Sequence, residues 1–366
     1  MMNYPIHQIK RLKGLLIALI LLFIFGSACS ADTPTSVPTD SEPTPQVEVN
    51  TATPNPTATS VPSPTPTTPT LGSAGNPITI GFILTPDETI AKESAEDIAF
   101  ILAEDTGYLI ESAIYPDFKS LSVAVKDGGV DLFWLQPLEY IYLNWEGAAQ
   151  VVLTTNHLGV YAYGVQFMAN VDRGFTPFYD PESNQSTAEA IQALQQFSGT
   201  RPCFINPTSL PGYFVPLGLL ENTSTPILDP VFTYDYSATI RALYIEGICD
   251  FGVGYAYIGD PRSASDIINN IPEAQEEVVV IWQSQDIIPN INLSASPNLP
   301  LHIQFRIQEA VLDLPNKPEG LTLLSTALNY DVEAMKTVQD AFYNPLRLAI
   351  VPLNLDLETI TQTQNR

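Results

Sequence analysis

The residues of this chain best suited to chemistry are hydroxyl and aromatic side chains at predicted turns, and the chemistry they suit is the holding of a small solute. The run Asn206-Pro207-Thr208-Ser209-Leu210-Pro211-Gly212-Tyr213 places Thr208 and Ser209 at the start of a predicted helix. Backbone N–H groups are unpaired there, and Gly212 permits close backbone approach. Thr85 and Gln136 stand at predicted strand ends, each directly before a proline. Tyr140, Tyr163, Tyr213, Tyr236, Tyr255 and Trp134 fall at or near strand ends or strand-to-helix turns. Each alone fits a core or rim aromatic, whereas several on one cleft make a binding surface. Reaction chemistry is poorly provided for. Gly-x-Ser-x-Gly, a P-loop and His-Glu-x-x-His are absent. His7, His157 and His302 are too scattered for a metal site or a histidine-based pair. Acidic pairs such as Asp87/Glu88 and Asp97/Glu104 sit on predicted turns or helices as solvated faces. A binding protein, with no cofactor and no catalysis, is the expectation.

Of 366 residues, 15 are Lys or Arg and 40 are Asp or Glu, for a net charge of −25. Nucleic-acid binding needs a basic face that displaces counterions, and a polybasic membrane patch needs the same sign, so both are excluded. Residues 1–28 read as an export signal. Lys10, Arg11 and Lys13 precede an apolar run from Leu15 to Phe25, which is shorter than the ~20 residues a spanning helix needs. Gly26-Ser27-Ala28 then leads into Cys29, and the segment resembles a bacterial lipobox. That resemblance implies a lipid-bearing Cys29 as mature N-terminus, an uncleaved anchor being the other reading. Residues 30–75 contain 10 Pro, 12 Thr and 6 Ser and no hydrophobic periodicity. With Cys29 they form an extended tether rather than a fold.

Residues 76–366 carry 12 basic and 36 acidic side chains and are long enough for two lobes. Ile78–Leu84, Leu109–Tyr115 and Asp131–Leu135 read as strands. Helices are predicted from Thr85, where Thr85, Pro86 and Glu88 make a capping sequence, over Phe118–Val125 and over Leu138–Trp145. A second series follows: helix Thr187–Gln196, strand Arg201–Ile205, helix Gly212–Leu220, helix Ser237–Ile245 and strand Asp250–Val253. Helices are also predicted at Leu299–Leu312, Leu321–Leu328 and Val332–Phe342. The alternation predicts an α/β fold with mainly parallel sheets. Extended segments at Tyr163–Ala169 and Val278–Trp282 are taken as the crossings between lobes, lobe 1 being 76–166 with 284–366 and lobe 2 being 167–283. With Cys29 assigned to the anchor, Cys203 and Cys249 remain, both near strand starts. An even remainder outside the membrane predicts a disulfide between them, two buried thiols being the other reading.

The order of these pieces resembles the phosphonate/phosphite-type solute-binding proteins of ABC transporters. The carriers are Ile80-Gly81-Phe82, Gly107, Gly128-Gly129-Val130-Asp131-Leu132, Pro137-Leu138-Glu139-Tyr140, the run from Asn206 to Pro216, and Gly247-Ile248-Cys249-Asp250-Phe251-Gly252. The resemblance spans about residues 77–345. It implies a two-lobed type II periplasmic-binding-protein fold with a site around Ser209. Where the family has a Ser-Thr-Ser-Gly run, only Ser209 and Gly212 keep the pattern, and Tyr236 aligns with a ligand-contacting histidine. Simple phosphonates are accordingly expected to bind worse than micromolar. The implied partners are a small polar ligand and an ABC permease in the membrane, with the protein a lipid-anchored monomer outside the cytoplasm. A sensory or adaptor lipoprotein using the same closure is the alternative.

Overall fold

The computed structural model describes residues 69–256 and 261–363; the expected export signal, Cys29 and most of the tether lie outside them. Residues 69–75 are already tied to the fold. Gly72 N–H donates to Asn76 O, Leu109 N–H donates to Gly72 O, and Leu71 packs on the core. No helix among the described residues is long and apolar enough to cross a membrane.

Two six-stranded sheets organise the chain. The first contains β1 (Ile78–Ile83), β2 (Ile110–Tyr115), β3 (Leu132–Leu135), β4 (Gln150–Asn156), β13 (Asn292–Ala295) and β14 (Ala334–Thr337), in the spatial order β14-β4-β13-β3-β1-β2. The second contains β5 (Ala162–Asn170), β8 (Pro202–Phe204), β9 (Val231–Phe232), β10 (Phe251–Ala256) and β11 (Val278–Gln283), ordered β11-β5-β10-β8-β9, with β12 (Ile288–Pro289) beside β5. Strands β6 (Tyr179–Asp180) and β7 (Gln185–Ser186) form a separate small hairpin. The sheets are mixed rather than mainly parallel. β1 runs parallel to β2 and β3, but β13 is antiparallel to both β3 and β4. β13 enters the first sheet directly from β12 of the second, so no crossover helix within one sheet sets it parallel to β3 or β4.

Period-two patterning sorts side chains between cores. In β3, Leu132 and Trp134 join the first sheet's own core with Ile80, Phe82 and Leu293. Phe133 and Leu135 face the other way, into a cluster that continues through Phe167, Phe204 and Phe251 of the second sheet. Trp134 is thus buried in the first core and is no reporter of the site.

Three expectations are corrected. Tyr163–Ala169 and Val278–Trp282 are not crossings but lie in the antiparallel pair β5/β11; the chain passes between sheets at 157–161 and 290–291. The helix expected over Val332–Phe342 is replaced by edge strand β14, where pairing with β4 overrides local preference. The helix after β1 starts at Thr89, because the Thr85–Glu88 capping pair closes a turn ahead of it: Thr85 N–H donates to a Glu88 carboxylate oxygen.

The C-terminal segment touches elements of both sheets. Helix Asn344–Ile350 packs on helix Val215–Asn222, and helix Leu357–Thr363 packs on helices Phe118–Lys126 and Pro137–Trp145. Arg347 ties it down, donating to Asn144 Oδ1 at 2.9 Å and pairing with Asp340. Burial pushes the Asp340 carboxyl up, but hydrogen bonds from Arg347 and Tyr140 outweigh it and hold the group below its ordinary value.

Cys203 and Cys249 form a disulfide with Cα atoms 5.6 Å apart. Parallel pairing of β8 with β10, Gly252 opposite Cys203, delivers the two residues to each other. The bridge closes a loop of sequence separation 46, so its removal by Cys203→Ala/Cys249→Ala is expected to cost about 2–5 kcal/mol. Chemical denaturation checks this. An unchanged midpoint contradicts it.

Candidate functional site

A cavity of about 320 Å³ opens where β3 and β8 end and where the chain passes from β12 to β13. Strand carboxyl ends are where open α/β sheets take ligands. Of the two strand-end prolines that prove relevant, Gln136-Pro137 lines the cavity directly, and Asn206 does so ahead of Pro207. Thr208 to Pro211, Tyr163 from β5, Pro289 to Ile291 and Tyr330 complete the wall.

The turn after β8 is built from its own side chains. Asn206 Oδ1 accepts from Thr208 N–H and from Thr208 Oγ1, both at 2.9 Å. Ser209 N–H donates to Asn206 O, and Ser209 Oγ caps the next turn by accepting from Gly212 N–H at 3.0 Å. The helix expected over Gly212–Leu220 begins with a wide turn at Leu210–Phe214 before helix Val215–Asn222. Gly212 serves close packing here: a Cβ would lie 2.3 Å from Ile205 Cγ1. Its carbonyl also accepts from Ile205 N–H. On the opposite wall, Gln136 N–H donates to Glu139 Oε2 at 2.7 Å, and Glu139 is only 2% exposed.

Tyrosines supply the remaining surface. Burial pushes the Tyr163 hydroxyl well above its ordinary value, with Tyr236 and Tyr330 close enough to add to the shift. Tyr330 is raised by burial and by Asp331. Tyr236 is raised by burial, against a hydrogen bond with Ser209, and Tyr255 lies edge-on to its ring at 4.6 Å. Tyr163, Tyr236 and Tyr330 remain neutral phenols across the physiological range.

The structure therefore gathers Gln136, Tyr163, Thr208 and Ser209 at one cavity, with Gly212 and Tyr236 directly behind Ser209 and Tyr255 behind Tyr236. Three expected residues stand elsewhere. Tyr140 is fully buried, donates to Asp340 Oδ1 at 2.7 Å and packs on Tyr343. Tyr213 packs among Phe204, Phe214 and Phe232. Thr85 caps its own turn through Asp87 and Glu88. Conversely, Glu139, Asn290 and Tyr330 line the cavity without having been expected to. Glu139 lies within the Pro137–Tyr140 run, three residues from Gln136, which is its only sequence cue.

Two mixed α/β sheets with a cavity at their strand ends are the architecture of the type II periplasmic-binding-protein fold. The chain matches, over residues 80–343, the family described as "ABC transporter, phosphonate, periplasmic substrate-binding protein", and it belongs to that family. It is 22% identical over 225 residues to the phosphate-import protein PhnD of Mycolicibacterium smegmatis, a match covering 58% of this chain and 64% of that relative's length. Among solved structures, XAC2383 from Xanthomonas citri bound to chloride ion superimposes with a TM-score of 0.51 at 14% identity, over 77% of this chain and 98% of that one. Transferrin 1 from Manduca sexta gives 0.50 at 10% identity, over 77% of this chain and 47% of its own. These likenesses carry the fold.

Proposed function

We propose that this protein is an extracytoplasmic receptor that captures a small polar solute between its two sheets and delivers it to an ABC permease, performing no chemistry itself. The observation that carries this reading is the shared cavity: residues from the ends of β3 and β8, from β5 and from the β12–β13 passage converge on one space of about 320 Å³. Such a volume holds one small molecule. The lobes would be the two sheets with their helices, hinged at 157–161 and 290–291, with the C-terminal helices spanning both. Closure about such passages is the hinge motion of ligand-binding two-lobed proteins. Covalent cross-linking of the full chain in its own membranes is the test. Recovery of ABC permease subunits, increased by solute, is expected; their absence with and without solute overturns the reading.

Anchoring is assigned to Cys29, with the 39 residues from 30 to 68 as spacer, since residues 69–75 are tied to the fold. Cys29→Ser is then expected to appear as a soluble or unprocessed form. A variant that is cleaved, still carries lipid and sediments with membranes contradicts the assignment.

A further inference from the structure

Tyr330 lines the cavity but belongs to neither a helix nor a strand. It follows Asn329, the left-handed residue (φ 48°) that ends helix Gly320–Leu328, and its N–H donates to Ser325 O at 3.1 Å. A helix cap of this kind fixes a backbone and leaves the side chain to its neighbours. The neighbour that meets the Tyr330 ring is His157, with ring centroids 4.4 Å apart and planes tilted by 31°. His157 does not itself line the cavity.

His157 is held in turn by the first passage between the sheets. Its Nδ1 lies 2.8 Å from Asp331 O, and a carbonyl only accepts, so Nδ1 carries the hydrogen and the ring's direction is set. Its backbone pairs with Val160 both ways, at 2.9 and 3.1 Å, across Leu158 and Gly159. Both of those residues have left-handed φ, 49° and 83°, which a tight two-residue turn of this hand requires. Gly159 N–H donates to Glu333 Oε2 at 2.8 Å, and Glu333 N–H donates to Asn156 O at 3.0 Å. From the second passage, Asn290 Nδ2 donates to Val160 O at 2.8 Å. Residues 156–160 are thus framed by hydrogen bonds to both 331–333 and the other passage, and the imidazole projects from that frame onto Tyr330.

We propose that His157 is a positioning residue for solute capture: from the passage between the sheets it holds the Tyr330 ring in the cavity wall. The proposal deepens the receptor reading and rests on it. Without the imidazole, the ring loses the contact that orders it, and a solute must order the wall as it binds. The hydrogen bond to Asp331 O orients His157, while the ring contact transmits that orientation to the site.

Titration calorimetry of the full chain with methylphosphonate, phosphite and ethanolamine, run as a double-mutant cycle, tests it. His157→Ala is expected to weaken whichever of these binds by roughly fivefold, the worth of one ordered aromatic contact. In a Tyr330→Ala background the same change should alter affinity by less than about twofold, because the residue it acts through is gone. His157→Asn keeps a donor for Asp331 O but has no ring, and should bind as weakly as His157→Ala. Unchanged affinity in His157→Ala, an equal loss in both backgrounds, or rescue by Asn overturns the positioning role and leaves the receptor reading standing. Fluorine NMR of the solute-free chain, with 4-trifluoromethylphenylalanine replacing Tyr330, tests the same role without a solute. His157→Ala is expected to broaden or split the resonance, and the same sharp line with and without the imidazole overturns the proposal. If none of the three compounds binds, that spectrum decides the positioning role, and cross-linking to the permease decides the receptor reading separately.

Discussion

Gly212→Ala is expected to weaken solute binding by roughly ten- to hundredfold, a loss of one or two well-placed hydrogen bonds. The added Cβ would lie 2.3 Å from Ile205 Cγ1, 2.5 Å from Ile205 Cβ and 2.8 Å from Ser209 Oγ. The two Ile205 atoms are not the end of a flexible side chain, and Ser209 Oγ is held by the hydrogen bond from Gly212 N–H. The wall must therefore move, and two hydrogen bonds through this glycine join what moves: Ile205 N–H to Gly212 O and Gly212 N–H to Ser209 Oγ. Asn206, Thr208 and Ser209 would shift together, taking one face of the cavity with them. Overpacking of this kind costs about 1–3 kcal/mol of stability, which a domain of this size survives. Calorimetric titration of wild type and variant with methylphosphonate, phosphite and ethanolamine, beside their melting temperatures, gives both numbers. Unchanged affinity in a folded variant would mean that this turn does not shape the site.

Gly218→Val is expected to lower the melting temperature by roughly 6–12 °C, from an overpacking cost near 3 kcal/mol and the usual slope for a large domain. A Cβ at 218 would lie 1.9 Å from Ala349 O. That oxygen is backbone, in helix Asn344–Ile350, so no rotamer relieves the clash. Helix Val215–Asn222 and the C-terminal segment would part, and the Asn222 Nδ2 hydrogen bond to Leu348 O at 3.1 Å would go with them. The same segment holds Arg347 against Asn144, so loosening it reaches elements beside both sheets. Calorimetric melting measures the effect. A shift of less than 2 °C would show that the segment gives way without cost.

The sequence made some of this legible and hid the rest for identifiable reasons. The apolar runs of β1 and β3 and the helices after Asp117 and Gln136 announce themselves through hydrophobic patterning. The disulfide follows from two thiols near neighbouring strand starts. Tyr163–Ala169 read as a linking segment because β5 is buried on both faces and lacks the polar alternation of a half-exposed strand. β14, with the sequence Ala-Met-Lys-Thr, has no strand signature of its own and exists through its pairing with β4. At the site, Thr208, Ser209 and Gln136 were visible as turn residues beside proline. Asn290 and Tyr330 were not, since each reaches the cavity only through sheet order and crossing geometry that no local pattern encodes. Tyr140 and Tyr213 show the converse. They stand at the right positions along the chain, but one lies inside a buried helix start and the other turns into an aromatic cluster. Position along a strand end tells where a side chain begins, while the neighbouring core decides where it points.

Native mass spectrometry of the full chain tests most directly whether the cavity holds a solute. The account predicts a species heavier than the solute-free protein by one small molecule, lost on unfolding and depleted in Gly212→Ala. Wild type and Gly212→Ala both at the bare mass, in the presence of methylphosphonate, phosphite and ethanolamine, would contradict it.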